Sequence, residues 1–298
     1  MKIDIAICTF NRAELLQNTL NSIAACVKPS GCDVRIIVVN NNSTDRTSDV
    51  VNSLTGIDVK LVDEPQQGHT FARNKAIVEA DGDLLIWTDD DVLVSTDWIT
   101  GYAAAYRESN DAFWGGPIEP IFDPPAPEWI NENMDVLSGC FARRELGDKP
   151  VRFSESLLPY GANFAIRTAI QKLFPFDVGL GRKGSNVTGE DELDLLRRVL
   201  SAGHKGGWLP GCRVRHVITA ERQSEQFVHE YFAGQGRALV RKGEPWTTRK
   251  TRLKFQSLYE SFAYRLKRGS AKSPAWVAHL IRSGLACGQL EALSESGN

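Results

Sequence analysis

Short apolar runs alternate with stretches of helical spacing through the first third of the chain, and few folds accommodate that alternation. Ile3 to Cys8, Val34 to Val39, Val59 to Val62 and Leu84 to Trp87 read as strands. Between them, Arg12 to Cys26 carries Leu15, Leu16, Leu20 and Ile23 at helical spacing, and further helices are expected near Thr44 to Leu54 and over Thr70 to Glu79. Asn42, Ser43 and Asp45, all good capping residues, stand where the second helix should begin. A βαβαβαβ series folds as a doubly wound parallel sheet with right-handed crossovers. Such sheets bind ligands at the carboxyl ends of their strands, so the residues that follow each apolar run are the first place to seek chemistry.

The remainder is less regular. Gly115-Gly116-Pro117 and Asp123-Pro124-Pro125-Ala126-Pro127 read as turns and loop, Gly161 to Ile166 as a further strand, and Glu192 to Ala202 as a helix closed by Gly203. From about Glu221 the pattern turns helical and basic. At 298 residues and 42% apolar content the chain has material for a substantial core, and a net charge of -2 argues against a nucleic-acid partner. The six cysteines form no C-x-x-C pair or zinc-site spacing, and Cys8 falls in a core strand. The opening residues resemble a strand rather than a signal peptide, and no apolar stretch reaches membrane-spanning length. A reducing cytoplasm is the expected compartment.

Five polar constellations occupy strand or helix ends, and a sixth candidate, a histidine, lies within a strand-like segment. Asp89-Asp90-Asp91 follows the run ending at Trp87. In extended chain Asp89 and Asp91 would share a face, and two such carboxylates suit a hard divalent cation, although a solvated acidic turn reads the same way. Thr9-Phe10-Asn11-Arg12 stands where a helix N-terminus meets an anion, or is merely a cap. Asn40 to Asp45 could hydrogen-bond a nucleoside or form an Asx turn. Arg73, in the first turn of a helix opened by Gly68, opposes the helix dipole and asks for a nearby anion. Gly189-Glu190-Asp191 offers either a general base or acids favoured by a helix start, and His216 sits in a strand-like segment.

In order and in register, these segments resemble the family-2 glycosyltransferases, inverting enzymes of the GT-A fold. The likeness rests on Thr9 to Arg12, Val39 to Asp45, Gly68 with Ala72-Arg73-Asn74, Gly82-Asp83, Asp89 to Asp91, Gly161-Ala162-Asn163, Gly189 to Asp191 and His216, and covers roughly residues 1 to 220. It implies an α/β chain with a Rossmann-like mixed sheet and a helical C-terminal extension. Residues 1–220 would form the GT-A domain, with 1–115 the nucleotide-sugar half and 116–220 the acceptor half, and 221–298 the extension. It implies that Asp91 binds Mn²⁺ or Mg²⁺ on the donor diphosphate, with Asp89 and His216 as further metal contacts. Thr9, Asn11, Arg12, Asn40, Arg73, Asp89, Asp90 and Asn163 would hold the nucleotide sugar, with Asp89 or Asp90 at the ribose. Asp191 would be the catalytic base, next to Glu190. The resemblance makes a UDP-sugar the expected donor; Asn40 departs from the Asp with which many members contact uracil, and that departure leaves GDP- and dTDP-sugars as alternatives. The absence of a Q-x-x-R-W sequence favours transfer of a single sugar to a glycan or lipid-linked acceptor in polysaccharide biosynthesis.

The basic stretch lies outside these motifs. Between Arg237 and Lys272 eleven Lys and Arg face only Glu244 and Glu260, with Phe255, Tyr259, Phe262 and Tyr264 interleaved. It reads either as a solvated helical face or as a peripheral contact, through 237–298, with the inner face of the cell membrane. Two other functions use the aspartates equally well: a metal-dependent nucleotidyltransferase, and a non-catalytic sugar-nucleotide-binding module.

Overall fold

In the computed structural model of the chain, the described residues are 1–180, 191–241, 243, 250–269 and 275–295. They divide into two compact units, one of residues 1–121, 142–180 and 191–217, the other of 122–141 and those from 218 onward.

The first unit opens with β1 (Lys2–Thr9), α1 (Ala13–Ala24), β2 (Asp33–Asn40), α2 (Thr47–Ser53), β3 (Asp58–Asp63), α3 (His69–Glu79) and β4 (Leu84–Thr88), the series the sequence implies. It continues through β5 (Val92–Val94), α4 (Trp98–Glu108) and β6 (Phe113–Gly115) into β7 (Ile118–Asp123), whose end enters the second unit. There follow α5 (Glu128–Asn131) and α6 (Met134–Leu137), then β8 (Asn163–Arg167), α7 (Thr168–Leu173), α8 (Asp191–Ser201), β9 (Gly206–Trp208) and β10 (Val214–Thr219). The large sheet has the order β3-β2-β1-β4-β8-β6-β9, and a smaller one the order β5-β10-β7.

The sheet is mixed. β1 to β4 pair in parallel, but β8 runs antiparallel to both β4 and β6. Burial on both faces explains the near-continuous apolar strands, since every residue of β4 is buried. Ile3, Ile5 and Ile7 pack with Leu16, Leu20 and Ile99 on one face. Ala6, Ile37, Leu85 and Trp87 pack with Ala72, Ala76, Leu195 and Val199 on the other. Each such Leu or Ile, fully buried, contributes roughly 1.5–3 kcal/mol before chain entropy is counted.

Register delivers the polar residues to one edge. Thr9 lies beside Asn40, and Asn40 beside Asp63. At the opposite edge, Gly82 and Asp83 are architectural: the Gly82 amide donates to the buried Asp4 (2.8 Å) and Asp83 accepts from the Lys2 amide (2.8 Å). That part of the family resemblance therefore clamps the entry to β4 and stands away from the carboxyl edge. Gly203 closes α8 with φ +86°, a left-handed conformation that favours glycine.

The second unit is built on α9 (Glu225–Arg241), α10 (Lys250–Gly269) and α11 (Trp276–Glu295). Gly284 and Gly288, one turn apart on α11, let that helix approach α9 so closely that a Cβ at Gly288 would lie 1.7 Å from the Ala233 carbonyl oxygen. Ile130, Leu137, Phe141, Ile218, Val228 and Trp276 form its core.

Candidate active site

Two polar clusters gather at the carboxyl edge of the large sheet. The first is anchored by the loop after β1. Asn11 takes a left-handed conformation (φ +52°), donates its amide to Ser43 Oγ (3.0 Å), and accepts from the Thr44 amide at Oδ1 (2.7 Å). Asp45 accepts from the Ala13 amide (3.0 Å), capping α1 from the neighbouring loop. So stapled, the loop presents Arg12, whose Nη1 donates to Asp90 (3.0 Å) and Asp91 (3.1 Å), while Thr9 Oγ1 donates to the other oxygen of Asp90 (2.8 Å). His216 reaches the same point from far along the chain. β10 pairs antiparallel with β5, setting His216 beside Val92, and its Nε2 lies 3.2 Å from Asp91 Oδ1.

The second cluster centres on Arg73, buried on α3 with its guanidinium 5.0 Å from the Phe176 ring centroid and 5.8 Å from that of Trp87. Its Nη1 donates to Asp191 (2.8 Å) and Glu192 (3.4 Å), and Asp89 stands 3.9 Å from Nη2. His69 Nδ1 is 3.8 Å from Asp191. Gly161 is required here, since a Cβ would lie 2.5 Å from Arg73 Nη2.

The electrostatics differ sharply between neighbours. Burial raises the Asp90 carboxyl to about 6, with Asp91 adding to it and Arg12 opposing. Burial would also raise Asp191, but Arg73 and His69 outweigh it and hold that carboxyl below its ordinary range. Glu192 has burial and the Asp191 charge against it and rises to about 7. Arg73, surrounded by carboxylates, is held more firmly protonated than an ordinary guanidinium despite its burial.

The placements sort the expected site residues. Thr9, Arg12, Asp90, Asp91 and His216 converge in one cluster, and Asp89, Arg73 and Asp191 in the other. Because β4 ends at Thr88, its two-residue alternation stops before the triplet: Asp90 and Asp91 share a hydrogen bond to Arg12, while Asp89 stands 3.9 Å from Arg73. Asn11 and Asn40 are used within the loops, Asn40 accepting from the Ser43 amide (2.9 Å) and donating to Asp63 (3.0 Å). Asn163 is wholly consumed. Its Oδ1 accepts from Trp98 Nε1 (2.9 Å) and Tyr102 Oη (2.8 Å), and its Nδ2 donates to the carbonyls of Pro117 (3.0 Å) and Cys212 (2.7 Å). With no exposed surface, it has nothing left with which to hold a ligand. Glu190 lies outside the described residues.

Sequence reasoning passed over Glu192 and His69. Glu192 directly follows Asp191 and was indistinguishable from acids favoured by a helix dipole. His69 follows Gly68, whose φ of +142° and amide bond to Asn41 Oδ1 (2.8 Å) fix the start of α3, a constraint visible in sequence only as a lone Gly-His.

Five carboxyl groups therefore surround two guanidinium groups. Among the described residues no three His, Cys, Asp or Glu side chains converge to cage a metal alone; Asp91 and His216, 3.2 Å apart, are a pair that could hold a divalent cation if phosphate oxygens and water completed its shell. A mixed sheet with acidic clusters at its carboxyl edge, carrying helices at its C-terminus, is the GT-A arrangement. The solved mannosyltransferase PcManGT of Pyrobaculum calidifontis, in complex with GDP-Man and Mn²⁺, shares this fold with a TM-score of 0.55 at 17% identity, over 99% of this chain and 74% of that one. The profile of Glycosyl transferase family 2 matches residues 4–174. The succinoglycan biosynthesis protein ExoM of Rhizobium meliloti is 34% identical over 256 residues, 81% of this chain and 76% of its own. A glucosyl-dolichyl phosphate glucuronosyltransferase of Haloferax volcanii is 26% identical over 223 residues, 73% of this chain and 70% of its own. The chain belongs to glycosyl transferase family 2 and is a glycosyltransferase, which sets aside the nucleotidyltransferase and binding-module alternatives.

Proposed function

We propose that this enzyme transfers one sugar, with inversion, from a nucleotide-diphosphate sugar to a hydroxyl of a glycan or lipid-linked saccharide in polysaccharide biosynthesis, with Asp191 as the general base. The observation that carries this is the state of Asp191. It is 1% exposed, Arg73 donates to its Oδ2 (2.8 Å), and Arg73 and His69 hold it in its charged form against its burial. A carboxylate kept ionised by a fixed guanidinium is suited to receive a proton. The acceptor oxygen would attack the anomeric carbon as the bond to the departing diphosphate breaks, and the hydroxyl proton would pass to the Asp191 carboxylate. Arg73 would hold the carboxylate in place, and Asp90, fixed by Thr9 and Arg12, would receive the ribose. In this reading residues 1–115 bind the donor and 116–220 face the acceptor.

Asp91 and His216 would hold Mn²⁺ or Mg²⁺ with the donor diphosphate, and the ion would supply positive charge against the charge that develops on the leaving group. The names of the relatives, a succinoglycan biosynthesis protein and an enzyme acting on a dolichyl phosphate saccharide, support a polysaccharide setting and a lipid-linked acceptor. No described helix is long and apolar enough to cross a membrane; a lipid-linked acceptor would be met by peripheral contact with the inner face of the membrane.

The test is nucleoside diphosphate release from UDP-, GDP- and dTDP-sugars, with and without Mn²⁺, by wild type and Asp191→Asn. Metal-dependent release from one donor, lost in the variant while nucleotide binding persists, is expected. An Asp191→Asn enzyme that turns over normally would remove Asp191 as the base.

A further inference from the structure

The basic C-terminal helix α10 presents an apolar row to solvent. Phe255, Leu258, Tyr259, Phe262 and Leu266 follow the spacing i, i+3, i+4, i+7, i+11, which aligns them on one side of a helix. All five are 64–71% exposed. The opposite side is the one that packs: Leu253 and Ala263 are buried, Ser261 meets Ser283 of α11 (2.8 Å), and Glu260 bonds His279 (2.5 Å) and Arg282 (2.8 Å) of the same helix. The row is therefore surplus to the folding of this unit, and five large apolar side chains left together in water mark a binding surface.

The charge around the row identifies what it meets. Arg252, Lys254 and Arg265 flank it and are exposed, and none has a carboxylate partner among the described residues. Glu260 is the helix's one carboxylate, and it is 6% exposed on the packed side. The outward side is thus apolar in the middle and purely cationic at its margins. A second copy of the chain fits poorly, because a two-fold contact along the row would bring these basic margins against each other. An anionic bilayer surface fits on both counts, with aromatic and leucine side chains entering the acyl boundary and Lys and Arg resting among the headgroups.

We propose that α10 is a membrane-docking helix that lies in the plane of an anionic lipid surface, with Phe255, Leu258, Tyr259, Phe262 and Leu266 inserted and Arg252, Lys254 and Arg265 at the headgroups. This deepens the proposed peripheral attachment by naming its surface and lipid class. It needs no donor, acceptor or metal, so it stands or falls separately from the assignment of Asp191.

The experiment is co-sedimentation of the full chain with vesicles of phosphatidylcholine, with and without phosphatidylglycerol, alongside sedimentation velocity without lipid. Wild type should bind only the vesicles containing phosphatidylglycerol, and salt should weaken the binding. Phe255→Ser/Phe262→Ser and Arg252→Glu/Arg265→Glu should each weaken it about tenfold or more. Both pairs are on the exposed side, so far-UV circular dichroism and nucleoside diphosphate release in detergent should remain at wild-type level. Failure of wild type to bind anionic vesicles, or equal binding by both variants, overturns the proposal. So does a lipid-free dimer that Phe255→Ser/Phe262→Ser dissociates, which would assign the row to a second copy.

Discussion

His216 Nε2 lies 3.2 Å from Asp91 Oδ1, and the backbone makes the match before the side chains do. The Val217 amide donates to the Asp91 carbonyl (2.8 Å), and the antiparallel pairing of β10 with β5 sets His216 opposite Val92. A histidine far along the chain is thus delivered to the last aspartate of the triplet by strand register, with no flexible segment between the pairing and the imidazole.

This register predicts separate effects for the two partners. Asp91→Ala should lower kcat/KM by about 10²–10³-fold, the scale for losing one electrostatic partner of a developing charge. His216→Ala should raise the Mn²⁺ concentration needed for half-maximal nucleoside diphosphate release by about 10–100-fold, with the rate largely restored at saturating metal. Metal titrations of both variants check this. An unchanged Mn²⁺ dependence in His216→Ala would take the imidazole out of the metal set.

Among the described residues, Arg73 is the cation that meets Asp191, Glu192 and Asp89 together. Arg73→Ala would leave buried carboxylates uncompensated, and should cost about 3–5 kcal/mol in urea unfolding. Arg73→Lys should recover only part of it, because an ammonium cannot contact two carboxylates and lie over two rings as the planar guanidinium does. Full recovery by lysine would mean that the charge alone matters.

The residues that were readable in the sequence are those whose role follows from strand ends. Apolar runs and helical spacing located β1 to β4 and the helices between them within a few residues, and the edge position of Thr9, Arg12 and the triplet followed directly. The antiparallel direction of β8 was not readable, since a buried strand such as Asn163-Phe164-Ala165-Ile166 has the same apolar look in either direction. Nor was the division of the triplet between two arginines, which depends on where β4 stops. Asn163 is the instructive case on the other side. Its place in a family motif marked it for the donor, whereas its four hydrogen bonds tie together elements that are remote in sequence and have no local signature.

The Glu192 carboxyl predicts a pH dependence whose sign is fixed. Its ordinary value is 4.5 and in the folded protein it rises to about 7. Between those values the folded state binds a proton that the unfolded chain has released, so this group makes stability fall as pH rises from about 4.5 to 7 and adds no slope above that. Asp90, raised from 3.8 to about 6, contributes in the same direction at lower pH. Asp191 is held down and titrates below the window. Glu192→Gln should therefore flatten the pH dependence of the urea midpoint between pH 5 and 7, gaining on the order of 1–3 kcal/mol over wild type at pH 7.5. A variant that tracks wild type in parallel across that range would show that Glu192 ionises like an exposed acid.

Asn163 separates a structural from a ligand-binding reading of the Gly161-Ala162-Asn163 segment. The Trp98 indole, the Tyr102 hydroxyl and the carbonyls of Pro117 and Cys212 all meet on this one amide, and all are buried with it. Removing the amide strands two donors and two acceptors, each costing about 1–3 kcal/mol when unsatisfied, less whatever a trapped water repairs. Asn163→Ala should therefore lose several kcal/mol in urea unfolding, about 3–6 after partial repair. Asn163→Asp should do no better, since it loses the two donors to the carbonyls and buries a charge. The fraction of either variant that remains folded at low temperature should bind nucleotide with a Kd within about twofold of wild type, because the side chain has no hydrogen-bonding capacity left for a donor. Calorimetric nucleotide titration beside urea unfolding makes the distinction. A stable Asn163→Ala protein with a Kd raised tenfold would return Asn163 to the donor site; an unstable one with an unchanged Kd fixes it as the amide that joins α4, β8 and the Pro117 and Cys212 loops behind that site.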